Sequence, residues 1–369
     1  MLRIISVCLF SISLLSVFSP AHAGLNIQLD YSYDSLGFFD IPSRREALEF
    51  AADFVNKYVD DMAEIAPEGA ERWDAIISKP DGSGTVLISN ELVPEDTVIL
   101  YVAGRPLSGR LAQTIDFGAL GSGTPEFEEL VATRGQAGAG TDPATDYSPV
   151  GATISFNNDF NEVPWHFGLT TRTMGPSEFD LVTVAMHEII HALGFTSTTK
   201  SFRDQTNILG HFHGSESTEV GSSTNPNLEL DPSESHWRSN TRSRWNGRGQ
   251  ESLLAPGIAP GQRQYPTTLD RAALRDIGWE EATPGDANRD RIFNSNDLVS
   301  MFAAGKFETR EPASWSDGDF SGDAIFNSQD LVLALSSGSY SFAAEAVPEP
   351  GAGPLIAGST TRLVRPLMT

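Results

Sequence analysis

The 369-residue sequence predicts an α+β fold followed by a small helical module. Three observations carry that prediction. Short β-branched runs alternate with helical stripes from Gly24 to about Glu281. Pro284-Gly285 then breaks the pattern. Beyond the break the chain repeats itself, as GDANRDRIFNSNDLV and GDFSGDAIFNSQDLV, with Asp286 and Asp319 equivalent and 319 − 286 = 33 residues apart.

In chain order, residues 1–23 read as a secretory signal. Arg3 supplies a positive start, Ile4 to Phe18 an apolar run, and Ala21-His22-Ala23 a cleavage site. Pro20 interrupts the run too soon for a comfortable membrane span, so the expected location is secreted and extracellular. Leu25, Ile27, Leu29, Tyr31 and Tyr33 keep period two and predict a strand. Ser43-Arg44-Arg45-Glu46 reads as a capping box, opening a helix with Ala47, Phe50, Ala51, Phe54, Tyr58 and Val59 on one stripe. Thr85–Ser89, Thr97–Val102 and Ala152–Phe156 read as further strands. Phe179 to Leu193 is apolar at helical spacing and stops at Gly194. Gly210 to Gly261 is a long polar stretch, a length usually associated with function, before a closing helix over Thr267–Ile277.

Composition narrows the function. Hydrophobic residues at 40% and charged residues at 20% describe a globular chain. Asp and Glu number 49 against 25 Lys and Arg, a net charge of −24 that repels phosphate backbones and argues against nucleic acid. The lone cysteine, Cys8, lies within the signal, so a mature chain has neither disulfides nor thiolate ligands. Any metal falls to His, carboxylates, amides or backbone.

The most informative segment is His187-Glu188-Ile189-Ile190-His191. On a helix, i and i+4 share a face, so both imidazoles can bind one Zn²⁺ while Glu188 takes a proton from a metal-activated water. Ile189, Ile190, Ala192, Leu193 and Phe195 make the helix a buried one. Burying two His and a Glu without partners is costly, and a metal is the simplest partner. For the third ligand the sequence offers His211, His213, His236 or a carboxylate.

His187 to Phe195, HEIIHALGF, resembles the active-site helix of the metzincin metallopeptidases, HExxHxxGxxH, with Ser197 where the third histidine normally stands. Ser235-His236-Trp237, 236 − 191 = 45 residues on, is similar to the displaced third-ligand element of the leishmanolysin-like branch. Glu251 to Pro256 resembles the family's turn beneath the metal, with Leu254 in place of methionine, and Leu269 to Trp279 its C-terminal helix. Trp165-His166-Phe167 is similar to a segment ahead of that helix. The resemblance spans about Leu25 to Glu281. It implies a metzincin-like mixed sheet with an active-site helix, a zinc site of His187, His191 and His236, and Glu188 as general base. The implied activity is a zinc-dependent metalloendopeptidase acting on protein or peptide substrates.

The repeats, residues 285–340, place oxygen donors at EF-hand spacing. Asp286, Asn288, Asp290, Asn294 and Asp297 occupy positions 1, 3, 5, 9 and 12, with the Ile292 carbonyl at 7. Asp319, Ser321, Asp323, Asn327 and Asp330 do the same around Ile325. The pair resembles the duplicated calcium motif of type I dockerins. That implies two Ca²⁺ sites and either a cohesin-like or cell-surface partner or a calcium-stabilised spacer. Arg291 and Ala324 hold position 6, normally Gly, where a positive φ costs a non-glycine about 1 kcal/mol or more. The tail, 341–369, reads as disordered; Val347-Pro348-Glu349-Pro350 resembles the opening of a PEP-CTERM sorting signal, but Leu355-Ile356-Ala357 is too short for its membrane helix. The competing function is a non-catalytic extracellular binding or adhesion protein with a structural metal.

Overall fold

The computed structural model describes residues 24–341; the expected signal at residues 1–23, Cys8 and the tail beyond Ser341 lie outside them. Strand β1 (Asn26–Asp30) leads to helix α1 (Pro42–Val55), then β2 (Arg72–Ser78), β3 (Thr85–Ser89), β4 (Thr97–Arg105), β5 (Ala112–Phe117) and β6 (Leu120–Ser122). Helix α2 (Pro125–Thr133), β7 (Gly151–Asn157), β8 (Trp165–His166) and β9 (Phe179–Asp180) precede α3 (Leu181–Ala192). After α4 (Lys200–Asp204) and α5 (Ser215–Val220), a hairpin of β10 (Arg242–Trp245) and β11 (Arg248–Glu251) leads to α6 (Thr268–Asp276). The repeats supply α7 (Ser295–Ala303) and α8 (Ser328–Ser336).

The architecture is mixed α+β. The main sheet has the order β1-β4-β7-β5, with the first three strands parallel and β5 antiparallel at one edge. A second, antiparallel sheet runs β3-β2-β6. Central strand β4 explains why both layers are needed. Val98, Leu100 and Val102 enter one core with α1 and α3. Ile99 and Tyr101, pointing the other way, enter a second core with Trp73, Ala75 and Ile77 of β2 and Phe127 and Val131 of α2.

Several local expectations shift. Helix α1 starts at Pro42, whose fixed φ suits the first helical position, so Ser43 lies inside the helix and no side chain caps its start. β1 ends at Asp30; Asp34 Oδ2 accepts the Phe39 N–H and turns the chain, leaving Tyr31 and Tyr33 outside the strand. The 210–261 stretch is not all loop, since it holds α5 and the β10–β11 hairpin. Strand β2, with every second residue buried, was legible by period but is not among the predicted strands, nor are β5 and α2.

The repeats pack on the larger body. Val59 and Ala282 join Phe293, Met301, Trp315, Phe320 and Phe326 in one apolar cluster. Arg291 explains its own occurrence in place of glycine: it holds φ at 66° while its guanidinium binds Asp61 at 2.6 Å and the Val59 carbonyl. Ala324 adopts the same φ of 66°. Among the described residues, no helix is long and apolar enough to cross a membrane.

Candidate metal centre

Helix α3 is buried along its whole length, which fits the apolar sequence around its histidines. Asp180 caps its start, accepting from the Thr183 N–H at 3.0 Å and Oγ1 at 2.7 Å, and is itself held by Arg263 at 2.7 Å. Gly194 ends it at a φ of 102°, where a Cβ would sit 2.5 Å from the Tyr147 ring. Only glycine satisfies both conditions. The turn it permits brings the Phe195 carbonyl back to His191.

His187 and His191 lie one turn apart on α3, and His236 arrives from the loop after α5. Nε2 of His191 is 3.0 Å from Nε2 of His187 and 3.2 Å from Nε2 of His236. Nδ1 of His187 lies 2.7 Å from the Leu253 carbonyl oxygen, and Nδ1 of His191 2.6 Å from that of Phe195. A carbonyl only accepts, so both Nδ1 atoms carry the proton and both Nε2 atoms present lone pairs. Facing lone pairs at this spacing repel unless a cation lies among them. Burial and the neighbouring His187 and His236 hold His191 well below the ordinary histidine pKa. Burial and His187 bring His236 down to about 4, against the opposing pull of Asp231. Neutral imidazoles are the form that ligates metal. Among the described residues this is the one group of three or more His, Cys, Asp or Glu whose ligand atoms all lie within 4.8 Å. The donor set and its outward hydrogen bonds therefore fit a metal ion.

Asp270 organises the support beneath the cluster. Its Oδ1 accepts from Trp237 Nε1 at 3.0 Å and Ser252 Oγ at 2.9 Å, and its Oδ2 from Leu253 N at 3.0 Å. It thereby fixes both the Trp237 beside His236 and the Leu253 carbonyl that orients His187. Leu254 is fully buried in that turn, and its carbonyl accepts the Trp237 N–H at 2.9 Å. Asp231 Oδ2 faces His236 Nδ1 at 3.5 Å, an electrostatic distance that leaves this nitrogen without a hydrogen bond.

The other histidines lie elsewhere. His211 is part of a bridge to Glu229, and His213 is exposed. His166 is buried, with Nε2 2.8 Å from the Thr170 carbonyl.

The cluster opens into a cleft of about 780 Å³ bounded by Gly109 to Thr114 on the β5 side and by Phe179, Val184 and Ile258. Glu188 also lines it. Its Oε2 accepts from Thr114 Oγ1 at 2.6 Å, a contact from edge strand to helix that no local pattern announces. Burial raises the Glu188 pKa, with His187 and the Thr114 hydroxyl pulling the other way.

The repeat loops are built differently. Asp286 accepts the N–H groups of Asp290 at 3.0 Å and Arg291 at 2.8 Å. Asp297 accepts those of Ala287 at 3.0 Å and Asn294 at 2.8 Å. In the second loop Asp319 accepts from Asp323 at 3.0 Å and Ala324 at 2.7 Å, and Asp330 from Ser321 and Asn327 at 2.9 Å each. Asn294 and Asn327 cap α7 and α8, each with its side-chain oxygen on the N–H two residues on. Asn288 donates to Asp290 at 2.9 Å and Ser321 to Asp319 at 3.3 Å. Asp290 and Asp323 accept the N–H groups of Ile292 and Ile325. Burial, then neighbouring carboxylates, raises Asp286 to about 6 and Asp319 to about 7.

No protein-family model, curated protein or solved structure matches the chain.

Proposed function

We propose that the chain is an exported zinc-dependent endopeptidase of metzincin type carrying a calcium-binding repeat pair. The observation that carries this reading is the convergence of three imidazole Nε2 atoms beside Glu188 in an open cleft. His187, His191 and His236 would hold the zinc. Zinc would supply Lewis acidity, polarising a carbonyl and making a water acidic enough to ionise near neutral pH. Glu188 takes the proton of the attacking water and delivers it to the leaving amine. Thr114 holds the carboxylate toward the β5 side, and burial keeps its proton affinity high enough to accept one. A peptide is the favoured substrate because β5 is a free sheet edge along the cleft, to which an extended chain can add by backbone hydrogen bonds.

In the repeats, Asp286, Asn288, Asp290, Ile292, Asn294 and Asp297 would hold one Ca²⁺, and Asp319, Ser321, Asp323, Ile325, Asn327 and Asp330 the other. Buried carboxylates with raised pKa values support this, since a hard cation removes their mutual repulsion. Packing of the repeats against Val59 and Ala282 favours the spacer role over an outward-facing cohesin-like docking surface.

Zinc per chain by elemental analysis, with cleavage of an unstructured protein, tests the reading. The expected results are near-stoichiometric zinc that collapses in His236→Ala. Glu188→Ala should keep its zinc and lose about 10³-fold in cleavage. Undiminished cleavage by Glu188→Ala would sink the mechanism.

A further inference from the structure

A second cavity, of about 310 Å³, lies away from the cleft where the repeats meet the larger body. Its walls come from the chain just after α1, the β10–β11 hairpin, the start of α6 and the second repeat. Lys57, Arg244 and Arg271 line it, and no carboxylate does. That is unusual in a chain of net charge −24.

Lys57 is the anchor of the argument. It is only 8% exposed, and its ammonium makes no hydrogen bond or ion pair among the described residues. Burial pushes its pKa down to about 8, and Arg271 pushes the same way. Glu281 and Asp319 pull against them, but the Glu281 oxygens are already engaged by Arg271 at 2.9 Å and 2.5 Å and by Arg275 at 3.3 Å. A buried ammonium with no carboxylate in hydrogen-bond or ion-pair contact is costly to keep, and an anion joining it lowers that cost. Arg271 reaches Glu281 through Nε and Nη2, leaving Nη1 without a partner among the described residues. The exposed Arg244 guanidinium likewise has none. Thr268 and Gln329 add neutral polar groups to the same walls.

We propose that this cavity binds a small oxyanion of sulfate or phosphate size, held by the Lys57 ammonium, the Arg244 guanidinium and Nη1 of Arg271. Guanidinium groups match such oxyanions with paired, charge-assisted hydrogen bonds. The anion would tie the chain after α1 and α6 to the hairpin, on a wall shared with Gln329 of the second repeat. The hairpin already reaches the loop of that repeat through Trp245 Nε1, which donates to the Gly322 carbonyl at 2.7 Å, and through Asn246, 3.3 Å from Asp323. Oxyanion binding would therefore strengthen the docking of the repeats.

The test is a sulfate titration of the full chain at ionic strength held constant with chloride, read by calorimetry and by Tm. Sulfate should bind saturably and raise Tm by mass action. Arg244→Gln, a change at an exposed side chain, should weaken binding at least about tenfold and leave the chloride Tm unchanged. Lys57→Met should abolish the sulfate response. A sulfate effect no larger than that of chloride, or one undiminished in both variants, would overturn the proposal. A response to acetate but not to sulfate would also overturn it, in favour of a carboxylate ligand.

Discussion

At the histidine cluster the three Nε2 atoms face one another, with the protons of His187 and His191 turned away onto carbonyls. In the repeat loops the carboxylates at positions 1 and 12 already accept backbone N–H groups from their own loop. The first arrangement is neutral and held from behind by the fold. The second is anionic and held from within by itself. Removing a cation from neutral imidazoles leaves mild repulsion between lone pairs and an otherwise complete structure. Removing one from buried carboxylates leaves charges that burial and proximity disfavour, so the loops answer by taking up protons. The cleft should thus tolerate metal loss better than the repeats do.

The sharpest way to break that contrast is to remove the support from behind. Asp270→Ala strands the buried donors of Trp237, Ser252 and Leu253 together. Chemical denaturation should show a loss on the order of 4 kcal/mol, and zinc binding should weaken because the Leu253 carbonyl no longer orients His187. Stability within 1 kcal/mol of the parent, to order of magnitude, would mean the cluster does not depend on this scaffold.

Thr114→Val comes next. It deletes the one side-chain hydroxyl bound to Glu188 and should lower kcat by about 10- to 100-fold, the worth of a hydrogen bond to a charged group. KM and zinc content should hold, and Thr114→Ser should restore the rate. A loss of zinc in the valine variant would show a structural role instead.

A third way to sharpen the contrast is a pH trend in the repeats. Asp286 and Asp319 have folded pKa values of about 6 and about 7, above the ordinary aspartate value of 3.8. Between the unfolded and folded values the native state binds more protons, so stability is greatest below the unfolded pKa and falls as pH rises toward 7. In calcium-free buffer Tm should therefore decline from about pH 4 to 7. Excess calcium, displacing those protons, should flatten or reverse the slope. A decline of equal steepness with and without calcium would separate these carboxylates from any ion.

Much of this was legible in the sequence for identifiable reasons. Spacing of i and i+4 on an apolar helix placed His187, Glu188 and His191 before any fold was known, and Gly194 marked the turn. Both repeat loops are equally local, since every hydrogen bond that closes them spans at most ten residues. By contrast, the edge position of β5, and with it the Thr114 contact across 74 residues, has no local signature. Nor does Asp270, whose partners come from three segments.

By itself, then, the sequence determined the mixed α and β character, the metal-type helix face and the duplicated oxygen-rich loops. Each of these depends on backbone periodicity or short-range spacing. Only the tertiary structure decided that His236, and neither His211 nor His213, closes on α3, and that Asp270 and Leu253 orient the imidazoles. It also decided that Lys57, Arg244 and Arg271 share one cavity with the second repeat. Such convergence depends on how distant segments pack, and burial then sets the charge that each group can bear.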